Sequence, residues 1–263
     1  HIACRFLGDQ AALLAALCEA SSESMLAKND AGAVPLHLLL TYFPECTASA
    51  VQMYQLMAAA NGGKGPVPAA DQHASTPLHT LARFFKHDAT ISFGCKRGSQ
   101  LPAALEDAPD GSPAKQKDTT QHGRIDALAR ACMDTMIGLI DARPDALDEA
   151  DDKGRLPLHV FARYHGDLLA PLRLLVWRRP ASAAAASKNG YLPLHYVARY
   201  HGASAASIAL LRSVGGDETL LARSMQDWLP VHLLCRHGTT PEAVKALITP
   251  ETAMSRVPGG LTP

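Results

Sequence analysis

A four-residue signature recurs along this chain, and it constrains the possible fold more than any other feature. Each copy has an aliphatic residue or threonine, then proline, then leucine or valine, then histidine. The copies span residues 34–37, 76–79, 156–159, 192–195 and 229–232. Successive motif histidines lie 42, 80, 36 and 37 residues apart. Such regularity indicates a chain built from copies of one small unit, each packed on its neighbours.

Both ends of the chain interrupt a copy. His1 lies 36 residues before His37, and residues 261–263 begin another signature. We therefore predict a single repeat array over residues 1–263, with a partial repeat at 261–263. The repeats start near residues 1, 34, 76, 156, 192 and 229. We expect the chain to be a fragment of a longer protein.

The segments around each signature predict two helices and a turn. Proline is favoured in the first turn of a helix, where its missing N–H costs nothing. A second helix is predicted by an apolar stripe with helical spacing, followed by Pro180: Leu168, Leu172, Leu175 and Val176. Glycines in segments such as 151–154 and 188–190 predict turns with a left-handed residue. Ala74 and Asp227 replace that glycine, so we expect distortion in those two hairpins.

Helix, turn, helix and hairpin in a unit of this length resemble the ankyrin repeat family, whose motif is Thr-Pro-Leu-His. The resemblance implies an all-α solenoid of about six helix-turn-helix repeats with short β-like hairpin turns. It also implies that the motif histidines have a structural role and hydrogen-bond turn to helix: His37, His79, His159, His195 and His232. The family's helix-capping threonine remains only at Thr76 and Thr262, and we expect Leu156→Thr to be neutral or stabilising.

The 80-residue interval has two interpretations. Either a degenerate extra repeat lies around residues 124–131, or the third repeat carries an insertion. Residues 124–143 have the apolar spacing of a second helix ending at Pro144, one 36-residue step before Pro180. Residues 88–121 are rich in Asp, Pro, Gly, Ser and Lys, as mobile loops are. We favour a flexible insertion at 88–121 inside the third repeat.

The amino-acid composition indicates which classes of partner and which cellular compartment to expect. Basic and acidic residues balance at 25 each, so we do not expect binding to nucleic acid. No apolar run reaches the length of about 18 residues that a membrane span needs. The six cysteines are scattered without a CxxC pair, which favours reduced thiols. We expect an intracellular, cytoplasmic protein.

The sequence contains few features that indicate a catalytic site or a metal site. No nucleophile elbow, phosphate-binding loop, dinucleotide motif or HExxH motif is present. The motif histidines would stand about 10 Å apart in a stack of helices. Zinc ligands must converge at about 2 Å from one ion, so this series of histidines does not form one site. We expect no enzyme activity, no small-molecule substrate, no metal and no cofactor.

A stripe of arginine and aromatic residues follows the motif histidines at the fourth and fifth positions. In the ankyrin family these positions line the concave surface that contacts partners, and both residue types often anchor interfaces. The candidate partner-binding residues are Arg83, Phe84, Arg163, Tyr164, Arg199 and Tyr200. Alternatively, each arginine pairs with a hairpin aspartate such as Asp30 or Asp152, and each ring packs on the next repeat.

Residues that differ between copies are further candidates for partner contacts. Just before the signature stand Arg155, Tyr191 and Trp228. If Tyr191 and Trp228 are exposed on neighbouring hairpins, they form an aromatic hot spot. If they pack between hairpins, they are structural. Both interpretations remain open at this point.

The sequence therefore predicts a non-catalytic scaffold that binds a protein partner through its concave hairpin and first-helix surface. The alternative is a regulatory or targeting arm of a larger enzyme or channel, whose other domain lies outside this fragment.

Overall fold

The computed structural model describes residues 1–6, 16, 20, 23–60, 70–85, 119–202, 204–237 and 240–256. Within these ranges the regular elements are all helices, and no strand occurs. The 3₁₀ helices of the described ranges are Glu23–Met25, Pro144–Leu147 and Pro180–Ala184.

A short α-helix begins at each motif proline. The residue before the proline is extended, as at Leu192 with φ −83° and ψ 163°, and helical geometry starts at the proline itself. These first helices, together with the truncated copy at the start, are α1 (Ile2–Phe6), α2 (Pro35–Tyr42), α4 (Pro77–Phe84), α6 (Pro157–His165), α8 (Pro193–Tyr200) and α11 (Pro230–His237).

A second helix runs back beside each first helix. The second helices are α3 (Thr47–Ala60), α5 (Thr119–Ala142), α7 (Leu169–Arg178), α9 (Ala205–Gly215) and α12 (Pro241–Leu247). Short helices α10 (Glu218–Leu221) and α13 (Pro250–Met254) follow α9 and α12. As predicted, α5 and α7 stop just before Pro144 and Pro180, and each of these prolines opens a 3₁₀ turn.

The first helices form one continuous row. α1 packs on α2, α2 on α4, α4 on α6, α6 on α8, and α8 on α11. Behind this row, α3, α5, α7, α9 and α12 each pack on the first helix of their own unit. Contacts between α3 and α5, α7 and α9, and α9 and α12 join the second helices. The chain is an all-α solenoid, as predicted.

The core runs through the stack between the two rows of helices. Each motif leucine or valine after the proline is buried, and so is the apolar stripe of α7. Three residues after the histidine, Ala82, Ala162 and Ala198 are completely buried, because neighbouring first helices meet at these small side chains. Cys235 at the same place in α11 is exposed, since no described helix covers that side of α11.

Helix α5 begins earlier than expected. It starts at Thr119, so residues 119–121 of the segment predicted as a loop are helical. It packs against α3 and α4, which is the place of a second helix in the unit opened by α4. Cys132, Met136, Leu139 and Ile140 form its buried stripe, as predicted. Residues 88–118 of the predicted insertion lie outside the described residues, so the insertion stays a prediction.

The aliphatic residues that replace the capping threonine differ in burial. Val34 and Leu229 are fully inside the core and Leu192 is buried, whereas Leu156 is half-buried. These side chains thus contribute apolar packing at a position where the family has a hydroxyl.

No helix in the described ranges combines the length and the apolar character needed to cross a bilayer.

Candidate functional site

Each hairpin between units is held by a side-chain oxygen at its first position. Asp71 shows the pattern: its Oδ1 accepts the backbone N–H groups of His73 at 2.8 Å and Ser75 at 2.9 Å. This is the Asx turn that Asn and Asp favour. Equivalent acceptors in the other hairpins are Asn29 Oδ1, Asp151 Oδ1, Ser187 Oγ and Ser224 Oγ.

The fourth hairpin position is left-handed in all five described hairpins. Gly32, Gly154 and Gly190 have φ between 68° and 73°, as predicted for turn glycines. Ala74 with φ 55° and Asp227 with φ 64° adopt the same conformation. The expectation that these two hairpins are distorted is therefore wrong. The hydrogen bonds of the turn impose the left-handed geometry, and the two residues bear its strain.

Neighbouring hairpins are joined by backbone hydrogen bonds. Asp152 N donates to His73 O at 2.8 Å, and Lys188 N donates to Lys153 O at 3.0 Å. The bonds from Gln72 to Ala31 and from Met225 to Asn189 continue the series at 3.3 Å and 3.0 Å. The hairpin tips therefore form one edge of the solenoid with a fixed spacing.

The motif histidines connect each unit to the next. The Nε2 atom of His79 donates to Arg155 O at 2.8 Å, and His195 Nε2 donates to Trp228 O at 3.2 Å. In four of the histidines the Nδ1 atom accepts the backbone N–H of the residue before the motif proline, as from Leu192 to His195 at 3.1 Å; the four are His79, His159, His195 and His232. The Nδ1 atom of His37 has no hydrogen-bond partner among the described residues. Equivalent Nε2 bonds come from His1, His37, His159 and His232 to Ala33, Ser75, Ala185 and Ser255.

This geometry requires neutral imidazoles, because Nδ1 must accept while Nε2 donates. Burial lowers the pKa of His159 and of His195 to about 4, and it also lowers the pKa of His79. The contacts match the structural role that the family resemblance implies for these histidines.

Arginine and aromatic side chains alternate along the ends of the first helices. The guanidinium of Arg83 lies 5.4 Å from the ring centroids of both Phe84 and Tyr164. The guanidinium of Arg163 lies 5.6 Å from the ring of Tyr164 and 5.1 Å from that of Tyr200. Cation–π contacts thus run from one unit to the next. We name the Arg/aromatic column as Arg83, Phe84, Arg163, Tyr164, Arg199, Tyr200 and Arg236, which lie on α4, α6, α8 and α11.

The column is accessible to a partner. Phe84, Tyr164 and Tyr200 are 38%, 37% and 43% exposed. At the lower-numbered end, the guanidinium of Arg5 lies 5.5 Å from the ring of Tyr42, and Thr41 interrupts the series of arginines.

The arginines of the column have no carboxylate partner among the described residues. Asp152 instead lies 3.3 Å from His73 Nδ1. The proposed pairing of these arginines with hairpin aspartates is therefore wrong. The alternative is partly right for the rings, because Tyr164 and Tyr200 each contact an arginine of the preceding unit, whereas Phe84 contacts Arg83 of its own unit.

Tyr191 is not an exposed anchor, so this part of the predicted hot spot is wrong. It is 7% exposed, and its ring lies 5.4 Å from the ring of His195 and 5.5 Å from that of Tyr196. Its hydroxyl donates to Gln226 Oε1 at 3.1 Å, in the next hairpin. Tyr191 therefore packs between hairpins. Trp228 is half-buried, with the guanidinium of Arg236 at 5.2 Å from its ring.

Arg155 also forms an ion pair within the chain, with Asp151. Its Nε donates to Asp151 Oδ2 at 2.7 Å, and a second nitrogen lies 2.6 Å from the same oxygen. Burial opposes the charge on Asp151, but these hydrogen bonds outweigh it and hold its pKa below the usual value. The guanidinium of Arg155 stabilises its own hairpin, so it is a poor candidate for contact with a partner.

A shallow concavity of about 150 Å³ lies between the hairpins and the column. Thr41, Asp71, Thr80, Arg83 and Tyr164 are among its lining residues, from three successive units. In the described part of the chain, no group of three or more His, Cys, Asp or Glu side chains is close enough to hold a metal ion.

Comparisons with known proteins agree with this architecture. No family model matches the chain, and no curated protein sequence matches it. The fold is similar to an ankyrin repeat domain from Acinetobacter baumannii, with a TM-score of 0.56, 14% identity, and 94% of each chain covered. It is also similar to a chain in the complex of a predatory endopeptidase from Bdellovibrio bacteriovorus with an immunity protein. That match has a TM-score of 0.53 and 15% identity, and it covers 94% of this chain and 97% of the other. At these identities the comparisons establish the fold, and the chain has the ankyrin-type repeat fold that the signature predicted.

Proposed function

We propose that this chain is a non-catalytic scaffold that binds a protein partner on its concave surface. That surface comprises the hairpins and the exposed ends of the first helices. The proposal rests above all on the Arg/aromatic column, whose rings are exposed on three successive units and whose arginines extend over four. Aromatic and arginine side chains are the types most often found at the energetic centre of interfaces.

The neighbours favour the same function without identifying a partner. Repeat folds of this kind commonly present an extended concave surface for binding. One neighbour is a chain of a protein–protein complex, which supports protein binding for this fold. Fold alone does not specify the partner, because unrelated specificities occur on one architecture.

Site-specific photo-crosslinking tests the proposal. Benzoylphenylalanine replaces Tyr164 on the concave surface or, as a matched control, Trp177 on α7. The two side chains are comparably accessible, at 37% and 50%, and both lie beside an arginine. In extracts of cells that express the protein, we expect a specific adduct from position 164 and none from position 177. The reverse pattern, or identical adducts from both positions, would place the interface elsewhere.

A further inference from the structure

The arginines of the column differ from most other described arginines, because they have no ion-pair partner in the part of the chain that the structure describes. Arg143, Arg178, Arg179, Arg212 and Arg223 each form an ion pair with an aspartate or glutamate. Arg83, Arg163, Arg199 and Arg236 lie on adjacent first helices, each with its guanidinium beside an aromatic ring and with no ion pair to a described carboxylate. Although the net charge of the chain is zero, these arginines form a localised row of positive charge that no described carboxylate pairs with.

The contact with the aromatic rings leaves these guanidiniums in a geometry that suits binding to carboxylates. A guanidinium that lies over a ring uses its face for the cation–π contact and keeps its N–H groups at the edges. Those edge donors match the two oxygens of a carboxylate. Because the rings already restrict the arginine side chains, these side chains lose less conformational entropy when a ligand binds.

The spacing of the column suggests the conformation of the ligand. Packed helices lie about 8 to 10 Å apart, so successive arginines are separated by about that distance. A polyproline II segment has three residues per turn and rises about 3.1 Å per residue. Its side chains at positions i and i+3 point the same way, about 9 Å apart. In a β-strand, side chains on one face repeat every second residue, about 7 Å apart, which does not match.

On the basis of the proposed function, we infer that the partner contributes an extended acidic segment in the polyproline II conformation. Its glutamates or aspartates recur at every third residue and pair with Arg83, Arg163, Arg199 and Arg236. Proline or other apolar residues between them contact the exposed rings of Phe84, Tyr164 and Tyr200, as in other aromatic grooves that recognise this conformation.

Two fluorescein-labelled peptides of the same composition test the inference by fluorescence anisotropy. One carries glutamate at every third position with proline between, and the other carries the same residues with glutamate at every second position. We expect the first peptide to bind about tenfold more tightly, with affinity falling as salt rises because exposed ion pairs are screened. Equal affinities would overturn the inference, as would no binding of either peptide.

Matched substitutions locate the peptide on the protein. Arg163→Gln should weaken binding of the first peptide about fivefold, as expected for one exposed ion pair, and Arg83→Gln/Arg163→Gln/Arg199→Gln should remove it. Arg179→Gln, which removes a charge outside the column, should leave the affinity unchanged. Circular dichroism and thermal unfolding of each variant confirm that the fold is retained. Equal weakening by Arg163→Gln and Arg179→Gln would indicate general polyanion attraction and overturn the inference.

Heparin and a generic DNA duplex provide the last control. Binding of either at physiological salt as tightly as the first peptide would show that the spacing of the charges is irrelevant, against the inference. A specific crosslink from position 164 without binding of the acidic peptides would reject only this inference. The proposed scaffold function would still stand in that case.

Discussion

At the residue scale, two of the hairpins contain a non-glycine residue with a strained backbone conformation. Ala74 and Asp227 carry the left-handed conformation that glycine adopts in the other hairpins. For a residue with a Cβ atom this conformation costs about 1 to 2 kcal/mol. Both residues nevertheless donate the same turn hydrogen bond as the glycines, to Asp71 O at 3.0 Å and to Ser224 O at 2.8 Å. The hydrogen bonds of the hairpin thus outweigh the backbone conformational preference of the residue at its fourth position.

Ala74→Gly should stabilise the protein by about 0.5 to 1 kcal/mol. Relief of the left-handed strain exceeds the extra chain entropy of glycine, which costs about 0.5 to 1 kcal/mol. The matched change Gly154→Ala should destabilise it, because a Cβ there would lie 2.9 Å from Lys188 N in the next hairpin. Urea unfolding of both variants measures the difference, and a loss of stability in Ala74→Gly would contradict this account.

Replacing the aliphatic residues before the motif proline should have unequal effects. Leu229 is 1% exposed whereas Leu156 is half-buried, so Leu229→Thr loses more packing than Leu156→Thr. We expect a loss of about 2 kcal/mol for Leu229→Thr and a change within about 0.5 kcal/mol for Leu156→Thr. Thermal unfolding compares the pair. Similar losses at both positions would show that Leu156 is as well packed as Leu229.

At the scale of elements, the buried histidines make the joints between units sensitive to acid. His159 and His195 have a pKa of about 4 in the folded chain, against about 6.5 when unfolded. Between these values the unfolded chain binds more protons than the folded one, so stability falls as the pH drops from 6.5 towards 4. Urea unfolding at several pH values should show this slope. His159→Gln should reduce the slope, and an unchanged slope would assign the acid sensitivity to other groups.

At the scale of the whole molecule, each unit is stabilised by its neighbours rather than by one common core. Such arrays can unfold locally around a weakened unit. Leu247→Ala in α12 should therefore speed amide hydrogen exchange in α11 and α12 while α6 keeps its protection. Leu172→Ala in α7, a central unit, should lower protection on both sides. Hydrogen exchange measured by mass spectrometry distinguishes these outcomes, and a uniform loss of protection in Leu247→Ala would contradict the local model.

The amount that could be predicted from the sequence differs between the fold and the candidate site. The Pro-Leu-His signature predicted where α2, α4, α6, α8 and α11 begin, because proline and the motif leucine act within one helix and its immediate neighbour. The stripe from Leu168 to Val176 likewise predicted the buried face of α7. The accessible Arg/aromatic residues were predicted as candidates, but their interleaving depends on the distance between units and was not.

The sequence by itself determined the repeating unit, the register of its helices and the residue types at the ends of the first helices, since these follow from short-range spacing. Only the tertiary structure decided which of these side chains remain available for contact with a partner. Tyr191 became buried because Gln226 and the next hairpin cover it, and Arg155 became occupied by Asp151. Burial and pairing depend on how neighbouring units stack, and that geometry is set by contacts between residues distant in sequence.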